Sequence, residues 1–299
     1  MGDRLKGKVA VVTGAGRGIG RAEALALAAQ GARIIVNDLG VEKDGSGSSS
    51  SPADEVVEEI KKMGGNAVAN YDNVATPEGG EAIIKSAVDN AGRLDILVNN
   101  AGNYRAKMIF KMTPEDWDLI LKVHLYGHFY CTRPACALFR QQRGGRIINT
   151  TSEAWLGQVS VANYCAAKAG IVGLTRAVAR DMGKYGVTCN CVAPRAPTRM
   201  TAGLDLKKSS GLSSVADVLS KIKPEDLGPL IVYLASDESA DINGKVFYAY
   251  GGTIALFSEP EPVKTIYKEG RWNLEELVSV MPQTLGKDLV NPAPAQKPK

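Results

Sequence analysis

Metal ligands are scarce in this sequence. The 299 residues include two histidines and five cysteines, and no two cysteines stand in a CxxC spacing. A structural zinc site needs closely spaced Cys and His ligands, so none is predicted, and the odd number of cysteines predicts reduced thiols. No run approaches the about 18 apolar residues of a transmembrane helix, and the first residues lack the apolar core of a signal peptide. We therefore predict a cytoplasmic protein that binds neither metal nor membrane.

The charges are nearly balanced. Lysine and arginine number 36, aspartate and glutamate number 32, and the net charge is +4 without a dense basic block. Nucleic-acid binding requires clustered positive charge, so this class of partner is not expected.

Short apolar runs alternate with helical stretches from Val9 to about Tyr250. Continuous β-branched and apolar runs predict strands that are buried on both faces. Strands that alternate with helices form a parallel sheet covered on both faces, so we predict a doubly wound α/β fold in a single domain. The predicted strands are Val9–Thr13, Arg33–Asn37, Ala67–Asn70, Ile96–Asn99, Arg146–Thr150, Val187–Val192 and Val246–Tyr250. The predicted helices are Ile19–Gln30, Pro52–Met63, Pro77–Ala91, Pro114–Gln142, Ala162–Lys184 and Glu225–Ala235.

Three of these helices begin with proline after a hydroxyl residue. Ser51, Thr76 and Thr113 each precede a proline. An oxygen at the N-cap accepts a backbone N–H of the first turn, and proline at the next position has no N–H to satisfy. We predict that these residues cap their helices and that Asn273 caps a further helix, Leu274–Val280.

Three segments fall outside the alternation. Gly45–Ser51 reads GSGSSSS and predicts a flexible loop. Residues 200–223 form a connection that is long for a compact domain, which is typical of a loop over a substrate site. We expect the domain to span residues 1–256 and a C-terminal extension to span 257–299, with its last residues, NPAPAQKPK, disordered.

A glycine-rich turn follows the first predicted strand. Residues 13–20 read TGAGRGIG and open the next helix. Glycines permit a tight turn and let backbone N–H groups approach a pyrophosphate at the helix N-terminus. Asp38 ends the second strand, where a carboxylate can bind both hydroxyls of an adenosine ribose and repel a 2′-phosphate. Arg17 inside the turn could instead contact a 2′-phosphate; we weigh Asp38 above it and predict NAD, with NADP the weaker alternative.

Tyr164 and Lys168 form a YxxxK pair at the start of a predicted helix. Residues four apart lie on one helix face, one turn apart. A phenol is a poor base at neutral pH and a nearby ammonium favours the phenolate, so we expect a lowered pKa for Tyr164. Ser152 ends the fifth strand, where the ligand crevice of an open parallel sheet lies, and its hydroxyl could bond a substrate carbonyl.

With these motifs the sequence resembles the short-chain dehydrogenase/reductase family. TGAGRGIG at 13–20, NNAG at 99–102, the set Ser152, Tyr164 and Lys168, and Pro194 after the sixth strand stand in the family's order. The resemblance runs from about Leu5 to Gly252. It implies a Rossmann fold, with a doubly wound seven-stranded parallel sheet in the order 3-2-1-4-5-6-7. It also implies hydride transfer between a nicotinamide and a small-molecule alcohol or ketone, and homodimers or homotetramers formed through the two long helices.

The resemblance also implies roles for the matching residues. Tyr164 would be the general acid/base, Lys168 would hold the nicotinamide ribose, and Ser152 would polarise the substrate oxygen. Asn73 and Val74 would lie beside the adenine. The full set of implied cofactor contacts is Gly14, Arg17, Gly18, Ile19, Asp38, Asp72, Asn73, Val74, Asn100, Tyr164, Lys168, Ala196 and Thr198.

The sequence departs from the family pattern in three places. His124 stands where the family has an asparagine that helps anchor a water chain to the lysine. We predict that His124 is a neutral relay element; a relay limited by its ionisation would give an inflection near pH 6.5. The gap from Ser152 to Tyr164 is one residue short, and Thr151 stands at the usual distance, although the strand context favours Ser152. Arg195 replaces the glycine that follows Pro194 in the family.

The segments VNDLG, VANYDNV and APRAPTRMT, together with His124, resemble the (3R)-hydroxyacyl-CoA dehydrogenase part of the peroxisomal multifunctional enzyme and related hydroxysteroid dehydrogenases. That resemblance implies an NAD-dependent dehydrogenase of a 3-hydroxyacyl-CoA or a hydroxysteroid. One alternative is an NADPH-dependent 3-oxoacyl reductase. Another, motivated by the three departures, is a non-catalytic subunit that partners an active relative.

Overall fold

The computed structural model describes residues 2–41, 46–47, 49–196 and 222–294. Within these residues, eight strands form one sheet. They are β1 (Val9–Thr13), β2 (Arg33–Asn37), β3 (Asn66–Asn70), β4 (Ile96–Asn99), β5 (Gly145–Thr150), β6 (Val187–Pro194), β7 (Val246–Tyr250) and β8 (Thr253–Leu256). Their order is β3-β2-β1-β4-β5-β6-β7-β8, and all neighbours are parallel except β7 and β8. The predicted order of the first seven strands is confirmed.

The prediction of seven strands is wrong by one, because it omits β8. The chain reverses at Gly251, whose φ is 51°, and Gly252, so that Tyr250 pairs with Thr253 in an antiparallel hairpin. A pair of glycines between two strands is a known hairpin signal. All four residues of β8 are exposed, so the strand has no buried, alternating side chains to identify it in the sequence.

Helices cover both faces of the sheet, and their bounds lie close to the predicted ones. They are α1 (Gly18–Ala29), α2 (Ser51–Lys62), α3 (Pro77–Ala91), α4 (Pro114–Leu121), α5 (Gly127–Gln142), α6 (Ala162–Met182), α7 (Gly228–Ala235) and α8 (Leu274–Val280).

Three of the four predicted caps are confirmed. The side chains of Thr76, Thr113 and Asn273 each accept a backbone N–H from the residue three positions later. The prediction for Ser51 is wrong: α2 begins at Ser51, and Ser50 precedes it in helical conformation without a side-chain cap bond. A capping residue normally has extended backbone, which is what directs its oxygen at the first turn.

The predicted helix 114–142 contains one wide turn. Lys122–Tyr126 forms a turn of π-helix that joins α4 to α5. Such a turn inserts an extra residue and rotates the faces of the helix on either side, and it is frequent at functional sites. His124, at the centre of this turn, is buried.

The strand β1 shows how the sheet is buried on both faces. All five of its residues are buried, and successive side chains point to opposite faces. Ala10 and Val12 join an apolar cluster with α1, α2 and α7, whereas Val9 and Val11 join one with α3, α5 and the end of α6. The strand order reverses between β1 and β4, so their carboxyl ends open a crevice.

The chain divides into two compact units, Met1–Phe257 and Ser258–Lys299. The second contains α8 and an ion pair between Lys268 and Glu276. None of the described helices is long and apolar enough to cross a bilayer. Most of the predicted substrate loop 200–223, part of Gly45–Ser51 and residues 295–299 lie outside the described residues.

Candidate active site

The glycine turn is held against the end of β4. Asn100 Nδ2 donates to the carbonyl oxygens of Thr13 and Gly14, at 3.0 and 3.1 Å. The Thr13 hydroxyl accepts the backbone N–H of Asn100 at 3.0 Å. Gly14 has a φ of 65°, and a Cβ on Gly20 would stand 2.2 Å from the Gly14 carbonyl oxygen. Asn100, predicted as a cofactor contact, therefore uses its amide group to fix the turn.

Asp38 reaches from the end of β2 to the glycine turn. Its Oδ2 accepts the backbone N–H of Gly16 at 2.8 Å, and its Oδ1 accepts that of Gly40 at 2.7 Å. A Cβ on Gly16 would stand 2.8 Å from Oδ2, so glycine permits this approach. Each carboxylate oxygen has a second lone pair, which suits a ligand hydroxyl. Arg17 is exposed at the N-cap of α1 and makes no side-chain cap bond.

A polar network that sequence reasoning missed holds Asp72. The buried Asn37 donates to Asn70 Oδ1 at 2.8 Å and to the carbonyl oxygen of Asp72 at 2.9 Å. Asn70 Nδ2 in turn donates to Asp72 Oδ2 at 2.7 Å. The signal in the sequence was an asparagine at the end of each of two neighbouring strands. Of the two predicted adenine contacts, Asn73 is exposed and Val74 is buried.

Ser152 and Tyr164 come together after β5. Burial raises the pKa of Tyr164 to about 12, and the Ser152 hydroxyl opposes that shift. Ser152 Oγ also accepts the backbone N–H of Ala154 at 3.2 Å. The Thr151 hydroxyl is buried and donates to the carbonyl oxygen of Lys168 at 2.9 Å. The contacts therefore favour Ser152 over Thr151 as the hydroxyl beside the phenol.

Lys168 lies one turn after Tyr164, with Nζ 5.4 Å from the centre of the ring. Its buried Nζ donates to the carbonyl oxygen of Thr150 at 2.7 Å, and burial lowers its pKa to about 8. The predicted lowering of the Tyr164 pKa is wrong. Burial dominates the phenol, and the described hydrogen bond of the ammonium goes to a carbonyl oxygen rather than to the phenol.

His124 packs edge-on against Tyr164, with ring centres 5.2 Å apart and an interplanar angle of 89°. Its Nε2 lies 2.8 Å from the carbonyl oxygen and 3.2 Å from the backbone nitrogen of Asn103, so it donates or accepts according to its tautomer. Gly102 of NNAG makes room for the ring, since a Cβ there would stand 2.5 Å from Cε1. Burial, followed by the charge of Lys168, holds the pKa of His124 well below 6.5. The ring is neutral as predicted, but an inflection near pH 6.5 is no longer expected.

Two further residues that sequence reasoning missed position Tyr164. Asn163 Nδ2 donates to the carbonyl oxygen of Asp116 at 2.9 Å, and Asn163 Oδ1 accepts the backbone N–H of Tyr164 at 2.8 Å. The buried Asp116 forms a capping box with Thr113 and an ion pair of 2.6 Å with Lys107. The hydrogen bond from Lys107 lowers the pKa of Asp116 to about 2. These contacts tie the segment after β4 to the start of α6.

Comparisons with known proteins agree with this geometry. Residues 14–253 match the family profile described as Enoyl-(Acyl carrier protein) reductase. A solved short chain dehydrogenase from Mycobacterium avium has a TM-score of 0.83 and 43% identity, and the match covers 97% of this chain and 98% of that one. The chain belongs to the short-chain dehydrogenase/reductase family. The predicted resemblance and the Rossmann fold are thereby confirmed.

Relatives within the short-chain dehydrogenase/reductase family differ in name and length. Hydroxyacyl-CoA dehydrogenase ChsB1 of Mycobacterium tuberculosis is 41% identical over 287 residues, covering 93% of this chain and 88% of that protein. Peroxisomal multifunctional enzyme type 2 of Mus musculus is 44% identical over 252 residues, but this chain spans only 32% of its length. A 3-oxoacyl-[acyl-carrier-protein] reductase of Synechocystis is 41% identical over 253 residues and is covered over 98% of its length.

The site fits the NAD(P) cofactors that short-chain dehydrogenases/reductases use. Gly18, with a φ of 55°, and Ile19 begin α1, so the first N–H groups of that helix face the end of the crevice. Asp38 and the exposed Arg17 flank the turn. Ala196 is half-buried after β6, whereas Thr198 lies outside the described residues. No group of three or more His, Cys, Asp or Glu side chains in the described ranges is arranged to hold a metal ion.

Proposed function

We propose that this protein is an NAD-dependent oxidoreductase that interconverts a secondary alcohol and a ketone, with a 3-hydroxyacyl-CoA as its alcohol substrate. The observation that carries the proposal is the Ser152 hydroxyl beside the buried phenol of Tyr164, with Lys168 Nζ 5.4 Å from the centre of the phenol ring. The family supplies the reaction type, and the names of two relatives support the substrate class.

The hydroxyl pair supports proton transfer at the substrate oxygen. Ser152 would donate to that oxygen, and Tyr164 would exchange its phenolic proton with it. Because burial raises the pKa of Tyr164 to about 12, the phenol is protonated and ready to act as the acid when a ketone is reduced. Alcohol oxidation is the reverse: it starts from the Tyr164 phenolate, which accepts the alcohol proton and becomes the phenol. A bound nicotinamide supplies or accepts the hydride at the carbinol carbon.

Lys168 and His124 would serve the same proton transfer from behind Tyr164. With a pKa of about 8, Lys168 is mainly an ammonium at neutral pH, and its position is held by the carbonyl of Thr150. We infer that this charge favours the phenolate during alcohol oxidation and that Lys168 holds the nicotinamide ribose. His124 would fix the ring of Tyr164 and act as a neutral relay.

The preference for NAD rests on Asp38. Its carboxylate stands at the glycine turn, where a 2′-phosphate would meet a negative charge. The remaining cofactor contacts are those implied by the family: the turn and start of α1 for the pyrophosphate, Asp72 to Val74 for the adenine, and Ala196 with Thr198 for the carboxamide.

A second candidate is an NADPH-dependent 3-oxoacyl reductase. The exposed Arg17 in the glycine turn supports it, because a guanidinium there could bind a 2′-phosphate. The Synechocystis relative supports it as well. The two candidates differ in cofactor and in the carrier of the acyl group.

One screen tests both candidates. The purified full chain is assayed with NAD and NADP against 3-hydroxyacyl-CoAs and hydroxysteroids, and with NADH and NADPH against 3-oxoacyl thioesters. Turnover of 3-hydroxyacyl-CoA with NAD, lost in Tyr164→Phe, supports the first proposal. Turnover only with NADPH selects the reductase, and turnover of steroids alone overturns the acyl-CoA substrate. Binding of NAD without turnover of any substrate indicates the non-catalytic subunit.

We further propose a homodimer or homotetramer in the cytoplasm. Tyr126 and Phe129 support the oligomer, since these two aromatic side chains at the start of α5 are each 45% exposed. Light scattering of the purified chain tests it, and a monomer at micromolar concentration would contradict it.

A further inference from the structure

Three polar side chains beside the hydroxyl pair have no role in the chemistry proposed above. Tyr248 Oη donates to Glu153 Oε2 at 2.9 Å. Arg195 Nη1 lies 3.4 Å from the Tyr248 hydroxyl, and Arg195 Nε lies 3.9 Å from Glu153 Oε1. Glu153 directly follows Ser152, and Arg195 directly follows β6. The cluster is therefore anchored at the reacting end of the sheet.

An aromatic wall backs this cluster. The ring of Phe257 lies 5.5 Å from that of Trp155 and 6.0 Å from that of Tyr248, and Tyr250 lies 5.0 Å from Tyr248. Burial, and then the bond to Glu153, raises the pKa of Tyr248. Tyr248 therefore remains a neutral donor to Glu153 at physiological pH. The packed aromatic rings hold Tyr248 in place, and its bond to Glu153 in turn positions that carboxylate.

The guanidinium of Arg195 is held loosely by these partners. Its 3.4 Å contact exceeds the usual N–H···O range, and its 3.9 Å contact is an ion pair without a hydrogen bond. A guanidinium carries several N–H donors in a planar fork, so donors remain beyond the described contacts. The Arg195 side chain is 39% exposed, which keeps it accessible to a ligand.

We propose that Arg195 binds the thioester carbonyl oxygen of a 3-hydroxyacyl substrate while Ser152 and Tyr164 bind its hydroxyl. The inference rests on the proposed function and adds the group that recognises the substrate class. In a 3-hydroxyacyl thioester one carbon separates the carbonyl carbon from the carbinol carbon, so the carbonyl oxygen lies at a short, bounded distance from the reacting oxygen. A simple secondary alcohol has no acceptor there. Glu153 is a positioning residue that holds the guanidinium near Ser152.

A matched pair of substrates isolates this contact. 3-Hydroxybutyryl-CoA carries the carbonyl, and the thioether S-(3-hydroxybutyl)-CoA replaces it with a methylene group while keeping the alcohol and the CoA. We expect Arg195→Met to lower kcat/KM for the thioester by roughly 10- to 100-fold, which is the range of a hydrogen bond to a charged group. For the thioether, kcat/KM should change by less than about twofold. Arg195→Lys, which keeps the charge but loses the fork, should fall between parent and Met variant on the thioester.

The controls separate recognition from structure. Glu153→Gln keeps an acceptor for Tyr248 but removes the charge beside Arg195, so it should raise KM for the thioester and leave kcat unchanged. Arg140→Met removes an exposed arginine that stacks over Tyr185, and it should leave kcat/KM unchanged for both substrates. Equal losses on both substrates, or no loss on the thioester, would overturn the role of Arg195. A parent enzyme that does not turn over the thioester would overturn the proposed function, and this inference with it.

Discussion

Replacing Asp38 with alanine tests the cofactor preference and reveals a cost that the sequence did not indicate. The carboxylate accepts two backbone N–H groups, from Gly16 at 2.8 Å and from Gly40 at 2.7 Å. Asp38→Ala therefore removes the charge that would repel a 2′-phosphate, and it also removes two hydrogen bonds that hold the glycine turn, the proposed pyrophosphate site. The variant should gain in its use of NADP and lose part of its binding of NAD.

The magnitudes follow from those two bonds. A hydrogen bond to a charged group contributes about 1.5–3 kcal/mol when buried, and Asp38 is only half-buried, so we take about 1 kcal/mol for each. The free energy of unfolding should fall by about 2 kcal/mol. The ratio of kcat/KM for NAD to that for NADP, expected to be tenfold or more in the parent, should shrink by about tenfold, which corresponds to about 1.4 kcal/mol.

Steady-state kinetics with both cofactors and urea unfolding measure the two effects separately. Asp118→Ala is the matched control, because Asp118 is a carboxylate on α4 that is 59% exposed and pairs with Lys122. It should change neither the ratio nor the stability by much. A parent that uses NADP as well as NAD, or an unchanged ratio in Asp38→Ala, would refute the role of Asp38 and place the choice with Arg17.

The other predictions concern the groups around the phenol. Tyr164→Phe keeps the ring but removes the transferable proton, so turnover should fall by at least about 10²-fold with NAD affinity, measured by calorimetry, nearly unchanged; near-normal turnover would contradict the acid/base role. The pH–rate profile should show no inflection near 6.5, because His124 stays neutral, and His124→Asn should keep substantial activity. His124→Ala removes the partner of Asn103 and leaves a cavity, so the free energy of unfolding should drop by about 2–4 kcal/mol, and turnover should slow; turnover equal to the parent's at every pH tested would remove the relay hypothesis. Because the pKa of Asp116 lies below its unfolded value, its contribution to stability is present above pH about 4 and is lost as pH falls toward about 2. In Asp116→Asn the free energy of unfolding should depend less on pH over that range. The same pH dependence in parent and variant would contradict the contribution of Asp116.

The sequence was sufficient where an element depends on residues close together along the chain. The runs that became β1 and β2 were predicted with their correct bounds because both are continuous, apolar and bounded by turn residues. Thr76 and Thr113 were predicted as caps because a cap hydroxyl and the backbone N–H that it accepts lie only three residues apart. The YxxxK pair likewise needs only helical spacing to place both side chains on one face.

The order of motifs along the chain also carried the family, and with it the order of the first seven strands. The eighth strand was not predicted because all four of its residues are exposed, so the sequence there lacks the alternation of buried apolar and exposed polar residues that indicates a strand. Ser51 failed as a cap because the backbone before α2 is already helical, and no residue type in that stretch signals where the helix begins.

Only the tertiary structure decided the pKa values and the side-chain pairs of the site, because both depend on burial and on partners distant in sequence. The pKa of Tyr164 is raised rather than lowered, because burial of the phenol is the largest effect on it and the Lys168 ammonium donates to the carbonyl oxygen of Thr150. The choice between Ser152 and Thr151 as the hydroxyl beside the phenol depended on a long-range contact, because the Thr151 hydroxyl bonds the carbonyl oxygen of Lys168, 17 residues away. Glu153 and Tyr248, 95 residues apart, meet because β5, which Glu153 follows, and β7, which contains Tyr248, flank β6 in the sheet. Local pattern determines which elements form, whereas electrostatics and side-chain pairing depend on what the fold packs around each group.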